Sequence, residues 1–396
     1  MGNWKNVELG SICEVVRGGS PRPIIDYITD DQDGVNWLKI GDVKETDKFF
    51  THAAERIKRS GIPKTREVQV GDLILSNSMS FGRAFITLIE GCIHDGWLRL
   101  RCDEERLDKE YLYYFLTSSL AQNQFKAVAT GSVVNNLKSD TVKAVRIDLP
   151  PLKEQRKIAT VLSTIDDKIK CNEEINENLE EQARAIFAAF ISDHQTTTVT
   201  VEDIVLTANT GADAIRKAPI VDRDTGVRCV RVGDMSNQRP VHEWGFAQVT
   251  PEIFKQYQLH KDDIVVTRTA SLGLNRLIGE DLSAVYNNGL IRISVNQDIV
   301  YPLIVYRQFQ TEDYRNYISR ISGETSVRPN MKINYLLKYS FDIPSLSNQA
   351  ELISILQPIF ETQERNISEN QTLSSLRDTM LPKLMSGELY VPELDL

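Results

Sequence analysis

Apolar residues recur at every seventh position along one long stretch of the chain, from Leu149 to Ser192. After Pro151 this stretch contains no Gly or Pro, so nothing in it interrupts a helix. A heptad repeat of this length predicts a long helix that buries its apolar stripe against a second helix. The heptad positions are Ile158, Ile165, Asn172, Leu179 and Ile186, and the stripe is widened by Val161, Leu162, Ile169, Ile175, Ala183 and Phe190.

A second stretch with the same repeat runs from Leu346 to Leu389, 194 residues later in the chain. Both stretches carry Asn at the same heptad position, which disfavours the alternative of two unrelated surface helices. The second stretch is expected to be interrupted at Pro358, because proline donates no backbone hydrogen bond. Its heptad positions are Leu352, Ile359, Asn366, Leu373 and Met380.

Asn172 and Asn366 lie in the middle of their predicted helices. A buried amide in an apolar seam needs a hydrogen-bond partner and typically fixes register. In an antiparallel pair the two midpoints meet, so we expect these amides to lie in adjacent central layers and to bond to each other or through a shared water. The alternative is that both amides face solvent or a protein partner.

The rest of the chain is also duplicated, at offsets of 191 to 194 residues. Each half contains a strand followed by Gly-Asp, a second apolar strand, a polar loop ending in glycine, a helical stretch and a Pro-containing link to the long helix. The matched segments are 37–43 with 229–235, 70–78 with 261–269, 96–100 with 289–293, 108–128 with 301–321 and 146–152 with 340–346.

Short apolar strands alternate with Gly, Asn and Asp turns in each half, and one packed helix is predicted per half. The fold class is therefore α+β: two duplicated strand-rich domains separated by two long antiparallel coiled-coil helices, with pseudo-two-fold symmetry. The predicted boundaries are 1–150 for the first domain, 151–193 for the first helix, 194–345 for the second domain and 346–396 for the second helix and tail.

Charge is distributed unevenly along the chain, whose formal net charge is −9. Residues 152–195 hold 6 basic and 9 acidic residues, and residues 346–396 hold 3 and 8, so both helical segments are acidic. Residues 1–151 hold 20 and 21, and residues 196–345 hold 17 and 17. The balanced domains can each carry a basic face for nucleic acid, whereas the acidic helices suit spacing or protein docking.

The five cysteines are scattered and form no CxxC pair. The sequence also has no apolar run long enough to span a membrane and no signal peptide. These observations favour a cytoplasmic protein with free thiols. No phosphate-binding or dinucleotide-binding glycine motif is present, and no Asn/Asp-Pro-Pro-aromatic tetrapeptide of amino-methyltransferases is found. We therefore expect no catalytic residue, metal or cofactor in this chain. The isolated histidines are His52, His94, His194, His242 and His260.

Three polar loops remain, and each occurs in both halves. Hydroxyls, amides and guanidinium groups contact phosphates and read base edges, so these loops are candidates for DNA contact. Any one of these residues alone could be an ordinary solvated turn residue. The candidates are Arg17, Ser20 and Arg22 with Arg216 and Lys217; Ser76, Asn77, Ser78 and Arg83 with Thr267, Arg268, Thr269, Ser271, Asn275 and Arg276; and Ser132, Asn135 and Asn136 with Thr325, Arg328 and Asn330.

The LPPLKEQRKIATVLSTIDDKIK run, its repeat, the closing LPKLMSGEL and the two Gly-Asp cores resemble the specificity subunit of type I restriction-modification systems. The resemblance covers essentially the whole chain. It implies two target-recognition domains held apart by the helices, each reading one half of a bipartite double-stranded DNA target. It also implies that the helices dock two modification subunits, which bind S-adenosylmethionine, and that two restriction subunits can join.

The second half departs from the first where Asn-Asn-Gly-Leu290 replaces Asp-Gly-Trp, which bears on which residues touch bases. Two other function classes stay open at this point. One is a DNA methyltransferase or nuclease acting alone, and the other is a scaffold that binds no DNA.

Overall fold

The computed structural model describes residues 4–44, 47–78, 82–129, 137–324 and 330–391. The chain divides into two compact units, Met1–Lys168 with Thr372–Leu396 and Ile169–Gln371. Both long helices are cut by this division, so each unit holds one strand-rich domain and a part of each helix. The four sequential segments expected from the sequence stay a prediction.

Unit 1 contains twelve short strands and three short α-helices in its described part, besides four 3-10 turns. They are β1 (Lys5–Glu8), β2 (Cys13–Arg17), β3 (Ile28–Thr29), β4 (Val35–Leu38), β5 (Phe49–Phe50), β6 (Glu55–Ile57), β7 (Arg66–Val68), β8 (Leu73–Ser76), β9 (Ala84–Thr87), β10 (Gly91–Ile93), β11 (Trp97–Cys102), α1 (Lys109–Thr117), α2 (Ser119–Ala129), α3 (Ser139–Lys143) and β12 (Arg146–Leu149). The first long helix, α4 (Leu152–Asp193), begins in this unit.

Two five-stranded sheets, β2-β11-β8-β9-β5 and β3-β6-β4-β10-β7, form the body of the first domain, and β1 pairs with β12 beside them. Strand β8 is buried on both faces: Leu73 and Leu75 join the core that contains Leu162 of α4, whereas Ile74 packs with Phe85 and Trp97 on the other side. A strand buried on both faces has a continuous apolar sequence rather than an alternating one.

Unit 2 repeats this order after the end of α4. Its elements are β13 (Thr196–Thr200), α5 (Val201–Ile204), β14 (Val205–Thr210), β15 (Ile220–Val221), β16 (Arg228–Val230), α6 (Val232–Ser236), β17 (Gly245–Ala247), α7 (Pro251–Tyr257), β18 (Ile264–Thr267), β19 (Asn275–Leu277), β20 (Ala284–Tyr286), β21 (Leu290–Val295), α8 (Pro302–Gln308), α9 (Glu312–Glu324), α10 (Ile333–Leu337), β22 (Ser340–Pro344) and α11 (Leu346–Met385).

The sheets of the two units correspond strand by strand. The order β14-β21-β18-β19 matches β2-β11-β8-β9, and β15-β17-β16-β20 matches β3-β6-β4-β10. The pair β4 with β10 is parallel, as is its counterpart β16 with β20, and in unit 1 the edge strand β5 also pairs parallel with β9. The first domain adds the edge strands β5 and β7. These shared strand orders confirm that the chain is a tandem duplication.

The single helix expected in each domain is instead two helices. Unit 1 has α1 and α2 separated at Ser118, whose hydroxyl donates to the carbonyl of Phe115 at 2.6 Å. Unit 2 has α8 and α9 separated near Thr311, whose hydroxyl donates to the carbonyl of Gln308 at 2.7 Å. Hydroxyl side chains that bond the nearby backbone compete with continued helix, so the break follows from local chemistry.

Pro358 does not interrupt α11, which is continuous from Leu346 to Met385. The missing N–H of Pro358 leaves the carbonyl of Ser354 without its helical donor. Both residues are exposed, so water can hydrate that carbonyl and the helix continues. No helix among the described residues is long and apolar enough to cross a membrane.

A buried glutamine fastens the start of each long helix to its own domain. Gln155 accepts from the amide of Asp108 at 2.8 Å and donates to the carbonyls of Arg106 and Pro150 at 2.9 and 2.8 Å. Gln349 makes the corresponding three bonds in unit 2, with the backbone of Tyr301, Ile299 and Pro344. The side chains are 0% and 1% exposed, so no water replaces these bonds.

Replacing Gln155 with Ala should destabilise unit 1 by roughly 2–4 kcal/mol, because three backbone groups lose their partner inside the core. Gln349→Ala should do the same in unit 2, and the two effects should add since the sites share no contacts. Chemical denaturation followed by circular dichroism measures this. Gln182→Ala, an exposed position on α4, is the matched control and should change little. Equal stability of Gln155→Ala and Gln182→Ala would contradict the role of this clamp.

Candidate nucleic-acid interface

A close approach of two backbones anchors the loop that follows β2 in unit 1 and β14 in unit 2. The amide of Gly18 donates to the carbonyl of Trp97 at 2.9 Å, and that of Gly211 donates to Leu290 at 3.2 Å. A Cβ on Gly18 would lie 2.1 Å from the carbonyl oxygen of His94, and one on Gly211 would lie 2.2 Å from that of Asn287. Only glycine fits either position, so both domains hold this loop in one way.

Asp95 collects the polar residues of the first loop in unit 1. Its carboxylate accepts from the hydroxyl of Ser20 at 2.7 Å and from the guanidinium of Arg22 at 3.4 Å. Its carbonyl accepts from Arg17 Nε at 3.1 Å and Asn77 Nδ2 at 2.8 Å. The hydrogen bond from Ser20, together with the charge of Arg17, holds the pKa of Asp95 below its ordinary value. The carboxylate therefore stays ionised and orients Arg22, whose side chain is 80% exposed.

His94 lies beside this cluster, with ring centroids 6.1 Å from Trp37 and 6.2 Å from Trp97. The amides of Gly96 and Ile40 point at its two ring nitrogens, at 2.7 and 3.2 Å. Burial lowers the pKa of His94. A neutral ring accepts from one of these amides, since its other nitrogen carries the proton, and a protonated ring could accept from neither. The neutral ring forms part of the wall of a depression of about 900 Å³ that is also lined by Arg22, Ile25 and Lys39.

Arg268 takes the place of Asn77 in unit 2. Its guanidinium donates to the carbonyls of Met331 and Asn288 at 3.2 and 3.3 Å, and to the amide oxygen of Asn330 at 2.8 Å. The carbonyl of Arg268 accepts from the amide of Met331 at 2.7 Å, just as that of Asn77 accepts from Leu137 at 2.8 Å. Arg268 is half-buried and braces the third loop.

Three of the residues predicted to contact DNA are buried in this structure: Ser76, Asn77 and Thr267 are 1%, 2% and 0% exposed. Ser76 Oγ accepts from the amide of Arg83 at 3.0 Å, and Thr267 Oγ1 accepts from the amide of Leu274 at 2.9 Å. These bonds close the tight loop that ends at the glycines with φ of +86° and +79°, Gly82 and Gly273. The hydroxyls of Ser76 and Thr267 therefore shape the loop, and contact of these three residues with DNA stays a prediction.

The other predicted residues fall into three groups. The first group is half-buried and makes structural contacts. Two guanidinium nitrogens of Arg83 are buried. Asn275 donates to the carbonyls of Gly273 and Phe309, and the guanidinium of Arg276 lies over the ring of Trp244. The exposed group is Arg17, Arg22, Arg216, Lys217, Ser271 and Asn330, and Ser20, Ser78 and Thr269 are partly exposed. Ser132, Asn135, Asn136, Thr325 and Arg328 lie outside the described residues.

The exposed cations of the first loop are therefore the strongest candidates for contact with DNA. Arg17 and Arg22 offer guanidinium groups in unit 1, and Arg216 offers one in unit 2. The residue Lys217 is exposed, but its ammonium donates to the hydroxyl of Tyr257 at 3.1 Å. Such groups pair with phosphates and with the O6 and N7 acceptors of guanine. Across the described ranges, no group of three His, Cys, Asp or Glu side chains lies together as a metal site would require.

Comparison with known proteins matches residues 1–181 and 197–374 to the family described as type I restriction modification DNA specificity domain. The chain belongs to this family. The two matched ranges coincide with the two halves of the duplication.

Individual relatives cover nearly the whole chain. The chain is 24% identical to the type I restriction enzyme MjaIX specificity subunit of Methanocaldococcus jannaschii, over 99% of this chain and 95% of that protein. It is 21% identical to the EcoBI specificity subunit of Escherichia coli, over 98% and 86%. The crystal structure of the type I restriction-modification S subunit of M. genitalium has the same fold, with a TM-score of 0.60, 15% identity and coverage of 99% and 97%.

In this specificity-family chain, the middle of the helix pair is held by asparagines. Asn172 Nδ2 donates to Asn370 Oδ1 and to Glu369 Oε2, both at 2.8 Å, and Asn366 Nδ2 donates to Asn176 Oδ1 at 2.8 Å. The predicted Asn172–Asn366 pair is thus replaced by two crossed Asn–Asn pairs. The reason is that antiparallel helices bring each midpoint opposite the next turn of the partner helix.

The same crossing appears in the backbone contacts. Asn176 Nδ2 donates to the carbonyl of Gln363 at 3.2 Å, and Asn370 Nδ2 donates to the carbonyl of Ile169 at 3.1 Å. The two donors, Asn176 and Asn370, lie 194 residues apart in the chain, and so do the two acceptors, Ile169 and Gln363. Asn172 is 1% exposed, so for this residue the alternative of an amide facing solvent is wrong.

Sequence reasoning missed several of these residues. Asn176 and Asn370 match at the offset of 194, as do Gln155 and Gln349, so the aligned repeat carried a signal for both pairs. Asp95 had no such signal, because Asn288 takes its place in unit 2.

Arg216→Ala should weaken binding of the cognate duplex without changing the melting temperature, because its side chain is exposed. If Arg216 contacts a base edge, the binding free energy should fall by roughly 1–3 kcal/mol. If it contacts a phosphate, the slope of the logarithm of the binding constant against the logarithm of the salt concentration should decrease by about one. Arg268→Ala should lower both affinity and melting temperature, since it removes the brace to Asn288 and Met331. Fluorescence anisotropy at two salt concentrations and a thermal melt separate these effects.

Arg315→Ala, an exposed arginine on α9, serves as the control and should bind as the wild type does. Wild-type affinity of Arg216→Ala together with an unchanged melting temperature of Arg268→Ala would contradict this assignment of roles.

Changing Asn172 and Asn366 to Leu should lower the melting temperature, because the side-chain oxygens of their partners Asn370 and Asn176 lose their donors. The register of the helices should become less defined, since the crossed bonds that select it are gone. The measurement is the range of spacer lengths between half-sites that the methylating complex accepts. Asn178→Leu, at an exposed position of α4, is the control. An unchanged, single spacer length in the double variant would contradict a register role for these residues.

Proposed function

We propose that this chain is the non-catalytic, sequence-reading subunit of a cytoplasmic type I restriction-modification complex. Each domain reads one half of a bipartite target in double-stranded DNA. The long helices dock two modification subunits, which bind S-adenosylmethionine and carry the methyl-transfer site. Restriction subunits, up to two, can join this assembly.

The observation that carries the proposal is the first loop of each domain. Both copies are anchored by the same glycine contact, at Gly18 and Gly211, and both present exposed cations. The sequences of the two loops differ while their anchors agree. A rigid frame with variable exposed side chains suits two domains that read different base sequences by direct contact.

The helices are suited to proteins rather than to DNA. They hold most of the net negative charge of the chain, which repels phosphate. In unit 2, Ile175 of α4 and Ile355 of α11 are 41% and 44% exposed, and in unit 1 Leu376 of α11 is 47% exposed. The negative charge is the stronger argument, because it disfavours phosphate and leaves a protein partner as the better fit.

The purified chain alone should neither methylate nor cleave DNA, and should direct sequence-specific methylation only when a modification subunit is present. Labelled S-adenosylmethionine and duplex DNA give the measurement, followed by mapping of methylated adenines in a host genome. The modification subunit without this chain is the control and should methylate no defined sequence.

Turnover by the clean isolated chain would favour the competing function of a methyltransferase or nuclease acting alone. Assembly with the modification subunit without any DNA binding, in a gel shift with random and genomic duplexes, would favour a protein scaffold.

A further inference from the structure

Two isoleucines on the first loops are the most exposed large apolar residues among the described side chains. Ile215 is 86% exposed in unit 2, and Ile25 is 76% exposed in unit 1. Single exposed apolar residues are common on protein surfaces and need no explanation by themselves. Here the two extremes fall on the same loop of two duplicated domains, although the loops differ in length and sequence.

Ile25 is presented by a well-ordered turn. It lies in a 3-10 turn, Ile24–Asp26, in which the amide of Tyr27 donates to the carbonyl of Ile24 at 2.9 Å. Lys58 fastens the turn from outside: its ammonium donates to the carbonyl of Asp26 at 2.7 Å and its amide donates to that of Tyr27 at 2.8 Å. The apolar side chain is therefore held outward by backbone contacts.

Ile215 is presented by different bonds with the same result. Its amide donates to the carboxylate of Asp213 at 2.7 Å, and the amide of Arg216 donates to the same oxygen at 3.3 Å. The amide of Lys217 donates to the carbonyl of Asp213 at 2.9 Å. Because hydrogen bonds within the chain hold both turns, we expect little conformational entropy to be lost when the isoleucines are covered.

The neighbours of each isoleucine indicate what covers it. Arg22 lies three residues before Ile25 and is 80% exposed, and Arg216 and Lys217 follow Ile215 directly. In unit 1 Arg22 is paired with Asp95, and in unit 2 the ammonium of Lys217 donates to the hydroxyl of Tyr257 at 3.1 Å, so the exposed guanidinium of Arg216 is the clearest cation beside an isoleucine. An apolar side chain with a guanidinium nearby fits a surface that is anionic outside and apolar within. Duplex DNA has this character, with phosphates flanking base pairs whose thymine methyl groups and stacked faces are apolar.

We propose that Ile25 and Ile215 are specificity-determining residues that contact the bases of their half-sites, while the neighbouring cations hold the phosphates. This inference rests on the proposed function and adds the apolar part of the reading surface to its polar part. The apolar contact with the bases can take two forms: the isoleucine packs against a thymine methyl group, or it inserts between stacked base pairs.

The test uses the complex of the full chain with its modification subunit and a duplex that carries the methylated sequence. Ile25→Ala and Ile215→Ala should each weaken cognate binding about tenfold, because burial of the lost side-chain carbons no longer contributes. Binding to a scrambled duplex and the melting temperature should stay unchanged. Ile25→Met and Ile215→Met keep an apolar side chain and should restore most of the affinity.

Matched controls are available in both domains. Val70→Ala and Leu206→Ala remove exposed apolar side chains, 60% and 65% exposed, near the opposite ends of β8 and β14 from these loops. They should bind as the wild type does. Equal losses in the control variants would show that surface apolarity in general matters, and would overturn the assignment to these two positions.

Modified duplexes separate the two sources of apolar contact. Deoxyuridine in place of thymine should weaken the wild type to the level of the alanine variant if a methyl group is contacted. A 2-aminopurine probe should brighten with the wild type and not with the alanine variant if a side chain enters the stack. Either result supports base contact.

Wild-type affinity of both alanine variants, or equal losses on cognate and scrambled duplexes, would overturn this inference alone. If the two alanine variants fail to bind the modification subunit while the control variants bind it, the isoleucines contact a protein, and this inference is overturned. A wild-type complex without any sequence preference would overturn the proposed function, and this inference with it.

Discussion

The long helices bury apolar side chains mainly where they pack into a domain core. Between those cores few apolar contacts hold the helices together, and the rest of the structure depends on this constraint. In unit 1 the core takes in Ile158 and Leu162 of α4 with Leu384 of α11, and in unit 2 it takes in Phe187 and Leu356. Between Ile165 and Ala183 the one buried residue of this fully described stretch is Asn172. Helix pairing there is selected by hydrogen bonds, which demand one register, whereas apolar packing tolerates several.

Each domain is fastened to its helix by directional contacts as well. The buried glutamines do this at the helix start. Farther along α4, Arg307 donates to Glu180 at 2.5 Å in unit 2, and Tyr114 donates to Asp166 at 2.6 Å in unit 1. Although burial by itself raises the pKa of Glu180, Arg307 and Arg184 hold it below its ordinary value. Buried polar contacts of this kind favour a single arrangement over alternatives.

The duplication separates what the fold requires from what each domain can vary. Glycines at 18 and 211, hydroxyls at 76 and 267, and positive-φ glycines at 82 and 273 recur with the same partners. Other matching positions hold different residues: Asp95 of unit 1 corresponds to Asn288 of unit 2, and Asn77 corresponds to Arg268. Repeated contacts therefore mark the frame of the loops, whereas at the differing positions the two units brace that frame with different side chains.

The amino-acid sequence by itself determined the duplication, the two long helices, the α+β class and the family, because these rest on periodicity and on repeated motifs that are local in the chain. It could not decide which polar residues of a loop are exposed. Ser76 and Arg22 look equally suited to DNA, yet one hydroxyl is buried against the amide of Arg83 and one guanidinium is 80% exposed. It also could not pair Asn172 with Asn370, since register depends on how two distant helices pack. Exposure and pairing are properties of residues far apart in the chain, so only the tertiary structure decided them.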